Sequence, residues 1–286
     1  MLLPTRGRPL LARRLLASVL SQSQDASRVE VILYVDDDDL DSHAIKHEQL
    51  RITTIVGPRV SMGECNSACL GKARGQIIML ANDDMVIRTR AWDERLATIH
   101  STYPDGIYLA YGNDTLKKSR VCTFPILSRR TCEIIGDPFP KAFRGAFIDY
   151  HLLDIFRRLE KHGLRRVVYL PDVVFEHLHY RTGKAMYDRT YMERDRFGDD
   201  NTFLSLRTER SIAAARLVRS VTGADAPEPD GRRNSAEQDS GSSSWAAAKF
   251  VVFDDELPLP WRVRLFSWFV LRLAARQLIL LAPKAI

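Results

Sequence analysis

The chain has 286 residues, 45% of them apolar and 27% charged, an ordinary globular composition that excludes a wholly disordered, collagen-like or coiled-coil molecule. Its four cysteines, Cys65, Cys69, Cys122 and Cys132, form no CxxC pair and read as reduced thiols without a metal. The net charge of +6 is unevenly placed: residues 221–256 hold eight acids against three bases, and residues 257–286 hold five bases and no acid, a pattern of tether and anchor that implies no nucleic-acid domain.

"MLLPT" reads as a strand broken by "RGRP", and "LLARRLLASVLSQ" repeats apolar residues at helical spacing. "VEVILYV" is a run of β-formers too continuous for a half-exposed strand, and suits one covered on both faces. "ITTIV" is a further strand, residues 62–74 a helix, and "QIIMLA" another buried strand. This alternation predicts βαβ units and an open, mostly parallel α/β sheet with helices on both faces. "GIYLAYG" and "RVCTFPILS" are strand candidates, and "DYHLLDIFRRLEKHG" is a helix stopped by Gly163. "RVVYL" and "PDVVFEHLHY" give one or two more strands. The expected organisation is a catalytic domain over 1–220, a disordered acidic Ser/Gly-rich linker over 221–247, and a basic amphipathic helix within 248–286.

Four arginines among the first fourteen residues leave no apolar run for a secretion signal, which predicts a cytoplasmic protein. The most apolar region, 261–282, is interrupted by Arg262, Arg264, Arg272 and Arg276 and does not read as a membrane span.

Four places concentrate acids or imidazoles. Asp36 to Asp39 follow the strand "VILYV", at the carboxyl end where open α/β sheets bind ligands. A calcium loop through Asp37, Asp39, Asp41 and Glu48 is rejected, because Ser42 occupies the glycine position and a strand precedes it. Asn82-Asp83-Asp84 again follows a buried strand; adjacent carboxylates there need solvent, a partner or a cation, although the same triplet also makes a good turn. His177 and His179 are two apart and would share one face of a strand. Asp149 opens a helix, where a capping role is the ordinary explanation. Asn113 and Asp114 in "YGNDT" read as a plain turn.

The order of strand, acidic turn, strand, acidic turn, acid-led helix and histidine-bearing strand resembles the inverting family 2 glycosyltransferases of the GT-A fold, over roughly residues 1–190. The resemblance implies that Thr5 and Arg6 approach the nucleotide and that Asp36 contacts the nucleobase. "MGECNSACLGKARGQIIMLANDDMV" is similar to the helix and strand leading to the DxD metal motif, with Ala81 at its first position and Asp83 and Asp84 retained. Glu64-Cys65-Asn66 stands where "ARN" is common, leaving Asn66 on the nucleotide side. Asp149 matches the catalytic base, with Ile148 where the family has a second acid. The histidine of "YLPDVVFEH" resembles one that completes the metal site.

The resemblance implies transfer of a sugar from a nucleotide-diphosphate sugar to an acceptor hydroxyl with inversion. A divalent cation, Mn²⁺ or Mg²⁺, would be held by Asp84 and His177, helped by Asp83 and with His179 as a second imidazole. A non-catalytic nucleotide-sugar- or glycan-binding pseudo-enzyme at a membrane and a metal-dependent nucleotidyltransferase are the competing readings. In the tail, Arg262, Arg272 and Arg276 share one side of a helical wheel whose remainder is apolar and rich in tryptophan. Peripheral contact of residues 257–283 with the inner face of a membrane is expected, and with it a lipid-linked or cell-envelope glycan acceptor. Docking of this helix on the domain or on a second copy carries nearly equal weight. The sequence bears no signature of an oligomeric state.

Overall fold

The computed structural model describes residues 1–193, 195, 197–223 and 251–281. Strands β1 (Leu2–Thr5), β2 (Glu30–Asp36) and β3 (Arg51–Gly57) form a parallel sheet in the order β1-β2-β3. In β2 every residue after Glu30 is buried, which is why its run of β-formers lacks polar alternation. Leu2 and Ile32 point into one core, and Leu3, Val31 and Leu33 into the other, on opposite faces of the pleat. Helix α1 (Pro9–Gln22) starts on Pro9, whose fixed φ and missing N–H suit a first turn, and buries Ala12, Leu15, Leu16 and Val19. After one turn of helix, α2 (Leu40–His43), and strand β3, helix α3 (Met62–Lys72) opens with a capping box. The Ser61 hydroxyl accepts from the Glu64 N–H, and the Glu64 carboxylate accepts from the Ser61 N–H.

The second sheet contains β4 (Ile77–Met79), β5 (Met85–Ile87), β6 (Leu109–Asn113), β7 (Ile126–Ser128) and β8 (Val167–His177) in the order β4-β7-β6-β8-β5. Only β6 and β8 run parallel; the other three pairings are antiparallel. The parallel arrangement predicted from the first ninety residues therefore stops at the first sheet. The cause is the β6–β7 connection, which holds only the 3₁₀ turn Lys118–Arg120 and no crossover helix. "RVVYL" and "PDVVFEH" are one continuous strand. A bond from Ala81 N to Leu2 O at 2.9 Å ties the two sheets together.

Helices α4 (Trp92–Thr102), α5 (Arg129–Ile135), α6 (Ile148–Leu159), α7 (Arg189–Met192), α8 (Asp200–Ser205), α9 (Arg207–Thr222) and α10 (Leu259–Leu281) complete the fold. The segment predicted as a linker lies outside the described residues, apart from 221–223, which end α9. Residues 251–281 return to the domain. Trp261, Leu265, Phe269 and Leu273, spaced by four, are buried in the same core as Phe147, Phe203 and Leu217. This is the docked arrangement weighed above, and the proposed basic stripe is broken up by it. Arg272 pairs with Asp200 at 2.6 Å, and Arg262 donates to the Val252 carbonyl at 3.0 Å. No helix among the described residues is long and apolar enough to cross a membrane.

Buried charges fasten this return. Asp154 on α6 accepts from Arg158, from Arg210 of α9 at 2.6 Å and from the Trp261 indole at 2.9 Å. Arg158 also reaches Asp254 at 2.7 Å, and Arg207 donates to the same carboxylate. Burial would lift the Asp254 carboxyl, but Arg207 and Arg158 outweigh it and hold it down to about 2.

Candidate active site

Thr5 ends β1, Asp36 ends β2, Asp83 and Asp84 follow β4, and His177 ends β8. The carboxyl ends of four strands thus open on one side of the molecule, where an open α/β sheet takes its ligands. Asp83 and Asp84 are only 6% and 5% exposed, so two neighbouring carboxylates must be compensated within the protein. For Asp83 the partners are the Thr5 hydroxyl at 2.8 Å and Arg8 at 3.2 Å. Burial still pushes its carboxyl up to about 6, against the pull of Arg8.

Asp84 differs. Its Oδ2 accepts from His177 Nε2 at 3.2 Å and from the Tyr191 hydroxyl at 2.7 Å. Burial raises this carboxyl, but the His177 and Tyr191 bonds and the Arg8 charge overcome it, and the net shift is downward. Asp84 Oδ1 is buried with no hydrogen-bond partner, as is His177 Nδ1. A buried anionic oxygen without a donor is suited to a cation, and carboxylate with imidazole is a donor set that Mn²⁺ accepts. Among the described residues no three His, Cys, Asp or Glu side chains group as a metal site. Asp84 and His177 therefore form a partial set, of the kind that phosphate oxygens of a ligand complete.

His179 lies two residues beyond the end of β8, so the shared strand face predicted for the two histidines is not what brings them together. A tight turn does: their rings meet edge-on with centroids 5.1 Å apart, and His179 also abuts Tyr191. Arg6 pairs with Asp36, whose carbonyl is bonded to His43 Nε2 at 2.8 Å. Asn66 is buried on α3 and donates to the Met62 carbonyl at 2.9 Å, within its own helix.

Asp149 occupies the second position of α6, behind Phe147, which adopts left-handed φ at 70°. It is thus not the N-cap. Its Oδ1 accepts from the Tyr150 N–H at 2.9 Å, and its carbonyl accepts from the Cys122 thiol at 3.0 Å. Its charge is felt by Lys117, in the loop that Asp114 organises. One Asp114 oxygen accepts from the N–H groups of Leu116, Lys117 and Lys118, and the other from Thr123. The same residue's carbonyl accepts from His177 N at 3.1 Å. Asp114 is a turn residue, as its sequence suggests, and its turn is tied to the end of β8 through His177 N.

Three residues of the site escaped the sequence reading: Arg8, Asp188 and Tyr191. Arg8 forks onto Asp188 with two bonds of 2.7 Å, and its guanidinium lies 4.4 Å from the centre of the Tyr191 ring. One signal was available: an arginine immediately before a helix-starting proline sets a positive charge at the positive end of a helix dipole, which calls for a compensating anion. Asp188 and Tyr191 belong to one turn of helix with no periodicity to find.

No family model matches the chain, and no curated protein matches it in sequence. Solved structures match it by fold. Residues 1–349 of TarS from S. aureus, in complex with UDP-GlcNAc, align with a TM-score of 0.51 and 12% identity, over 90% of this chain and 80% of that one. Mannosyltransferase PcManGT from Pyrobaculum calidifontis, in complex with GDP-Man and Mn²⁺, gives a TM-score of 0.49 and 16% identity, over 96% of this chain and 74% of that one. Glucosyl-3-phosphoglycerate synthase from Mycobacterium tuberculosis, in complex with phosphoglyceric acid, gives 0.41 and 16% over 76% and 78%. The likeness to TarS establishes the architecture: the chain has the GT-A-type fold of nucleotide-sugar glycosyltransferases.

Proposed function

We propose that the chain transfers a glycosyl group from a nucleotide-diphosphate sugar to an acceptor hydroxyl, with inversion at the anomeric carbon and with a divalent cation, Mn²⁺ or Mg²⁺. The observation that carries the reading is Asp84. It is a buried carboxylate at a strand end, with one oxygen bonded to His177 and the other without a donor. Asp84 and His177 would hold the cation, with Asp83 and His179 behind them. When bound, the cation would neutralise charge building on the departing diphosphate.

The chain's own residues do the rest. Arg8 has a fork that suits a phosphate as well as it suits Asp188. Thr5, Arg6, Asp36 and Asn66 form the nucleotide side of the site. Asp149, half-buried at the start of α6, takes the proton from the acceptor hydroxyl as it attacks.

Titration of UDP and GDP in Mn²⁺ and in EDTA tests the donor site, followed by a screen of nucleotide sugars for hydrolysis and transfer. Asp84→Ala is expected to abolish metal-stimulated nucleotide binding while leaving the fold intact. Equal nucleotide binding by the wild type in EDTA and in Mn²⁺ would remove the metal from the proposal. Release of pyrophosphate in place of a nucleoside diphosphate would favour nucleotidyl transfer.

Peripheral membrane contact belongs to the same proposal. Its support is the outward side of α10, where Val263, Leu271 and Leu278 are 52%, 68% and 69% exposed. Full-length protein should float with anionic vesicles, and Leu271→Glu with Leu278→Glu should leave it at the bottom of the gradient. Wild-type protein that stays at the bottom would make α10 a packing element only.

A further inference from the structure

A cavity of about 710 Å³, whose lining does not include Asp83 or Asp84, lies between the start of α3, the 141–144 loop, Asp195, the 197–202 segment and α10. Three cations line it, Lys141, Arg144 and Arg276, against the single carboxylate of Asp195. Ser61, Asn201 and Thr202 complete the lining, the Ser61 hydroxyl being already committed to the Lys141 carbonyl. Some surface arginines pair with acids: Arg88 with Glu176, Arg166 with Asp105, Arg59 with Glu193. Among the described residues, none of the three cavity cations enters such a pair. Glu64 and Asp137 sense Lys141 only at longer range; Asp200 senses Arg276 in the same way, one of its oxygens being held by Arg272 and the other buried without a hydrogen-bond partner.

The walls are fixed by buried and backbone bonds. Asp199, 3% exposed, accepts from the N–H groups of Arg144, Gly145 and Ala146 at 2.7–2.9 Å, which binds the loop to the 197–202 segment. Met62 N donates to the Arg144 carbonyl at 3.2 Å, and Ser61 Oγ donates to the Lys141 carbonyl at 2.6 Å. Gly63 permits this approach, since a Cβ there would collide with the Pro140 carbonyl. The Arg272–Asp200 pair sets α10, and so Arg276, at the same rim.

Like charges held around a concavity repel one another and raise its potential, and an anion reverses the sign of that interaction. A tetrahedral oxyanion offers several faces to separate donors, and arginine forks suit it. The cavity lining includes none of Arg8, Asp83, Asp84 or His177, whereas Arg144 stands five residues before Asp149. The geometry points to a binding site for a phosphate group carried by the acceptor, an assignment that rests on the glycosyl-transfer reading above.

Calorimetry on the full chain in EDTA, with inorganic phosphate as the probe, tests it. Saturable binding is expected. Arg144→Glu combined with Arg276→Glu should weaken it at least tenfold, Arg276→Gln less, and these exposed positions should leave the melting temperature unchanged. Binding should persist in Asp84→Asn and when UDP and Mg²⁺ already occupy the donor site. Absence of saturable binding, equal affinity in the charge-reversed variant, or loss in Asp84→Asn each overturns the site. Malonate binding more tightly than phosphate overturns the phosphate assignment. Failure of UDP and GDP to bind the wild type, with phosphate binding still lost on charge reversal, overturns the acceptor role and leaves a phosphate site without glycosyl transfer.

Discussion

The Tyr191 hydroxyl donates to Asp84 Oδ2 at 2.7 Å, joining the segment after β8 to the acidic turn after β4. The same tyrosine lies under the Arg8 guanidinium, which grips Asp188 three residues earlier. The donor-free oxygen that a cation would use, Oδ1, thus belongs to a carboxylate whose charge is already drawn on by a phenol at Oδ2. A hydrogen bond to a charged group contributes about 1.5–3 kcal/mol, enough to weigh on metal affinity.

Tyr191→Phe keeps the ring under Arg8 and removes the competing donor. Its affinity for UDP in Mn²⁺ should rise threefold or more, by calorimetry, with no change in EDTA. Weaker binding would instead make the Tyr191 hydroxyl part of the nucleotide site.

Asp149→Asn separates chemistry from helix electrostatics. At the second position of α6 the charge favours the helix dipole by only ~0.3–1 kcal/mol, so the melting temperature should fall by a few degrees at most. Loss of a general base should lower turnover by roughly 10²–10⁴. Near-normal turnover would remove Asp149 from the chemistry.

His151 supplies a pH dependence of stability. It is 2% exposed on α6, its ring edge-on to Phe143 with centroids 5.4 Å apart. Burial, helped by the Arg210 charge, lowers its pKa to about 3. The unfolded chain takes up this proton near pH ~6.5, so below that pH the unfolded state binds more protons and is favoured. Stability should fall by about 1.4 kcal/mol per pH unit as pH drops from ~6.5 toward 3. In His151→Phe that slope should be shallower by the same amount, measured by urea unfolding at several pH values. Parallel slopes would show that His151 does not carry the dependence.

Trp261→Ala should destabilise the whole domain by about 3–5 kcal/mol, because it empties a core position and strips a donor from buried Asp154. Arg158→Met should cost a similar ~3–5 kcal/mol by leaving Asp154 and Asp254 short of charge. Both are read from urea midpoints. A loss confined to a separate early transition would show that α10 unfolds on its own.

The first half of the molecule was legible because its signals are local. Continuous apolar runs gave β1, β2 and β4, helical spacing gave α1 and α6, and the acids at their ends landed on one side of the sheet. In the second sheet, β6, β7 and β8 fall on the strand candidates, whereas the three-residue β5 and the antiparallel pairings left no periodicity to read. The Asp83–Asp84–His177 group was anticipated, and the Arg8–Asp188–Tyr191 group that closes on it was not, since its members lie up to 183 positions apart and meet only in the folded chain. For α10 the amphipathic pattern was plain, but a pattern shows that a face will be covered and not by what. The Asp154 indole bond and the four buried residues decide that much in favour of the domain.

The return of α10 has a consequence for synthesis on the ribosome. Residues 1–223 contain both sheets, yet Phe147, Phe203 and the charges of Asp154, Arg158 and Arg210 acquire their last neighbours only from residues beyond 250. Until translation passes Leu273, the nascent domain presents an open apolar wall with buried-type charges at its centre. A chain released early should be a substrate for chaperones and proteases, whereas one paused after the same length and then completed should still close. Protease resistance of ribosome-bound chains should therefore appear in one step, once Trp261 through Leu273 have cleared the exit tunnel, and gradual onset from residue 223 would show a domain that closes without them.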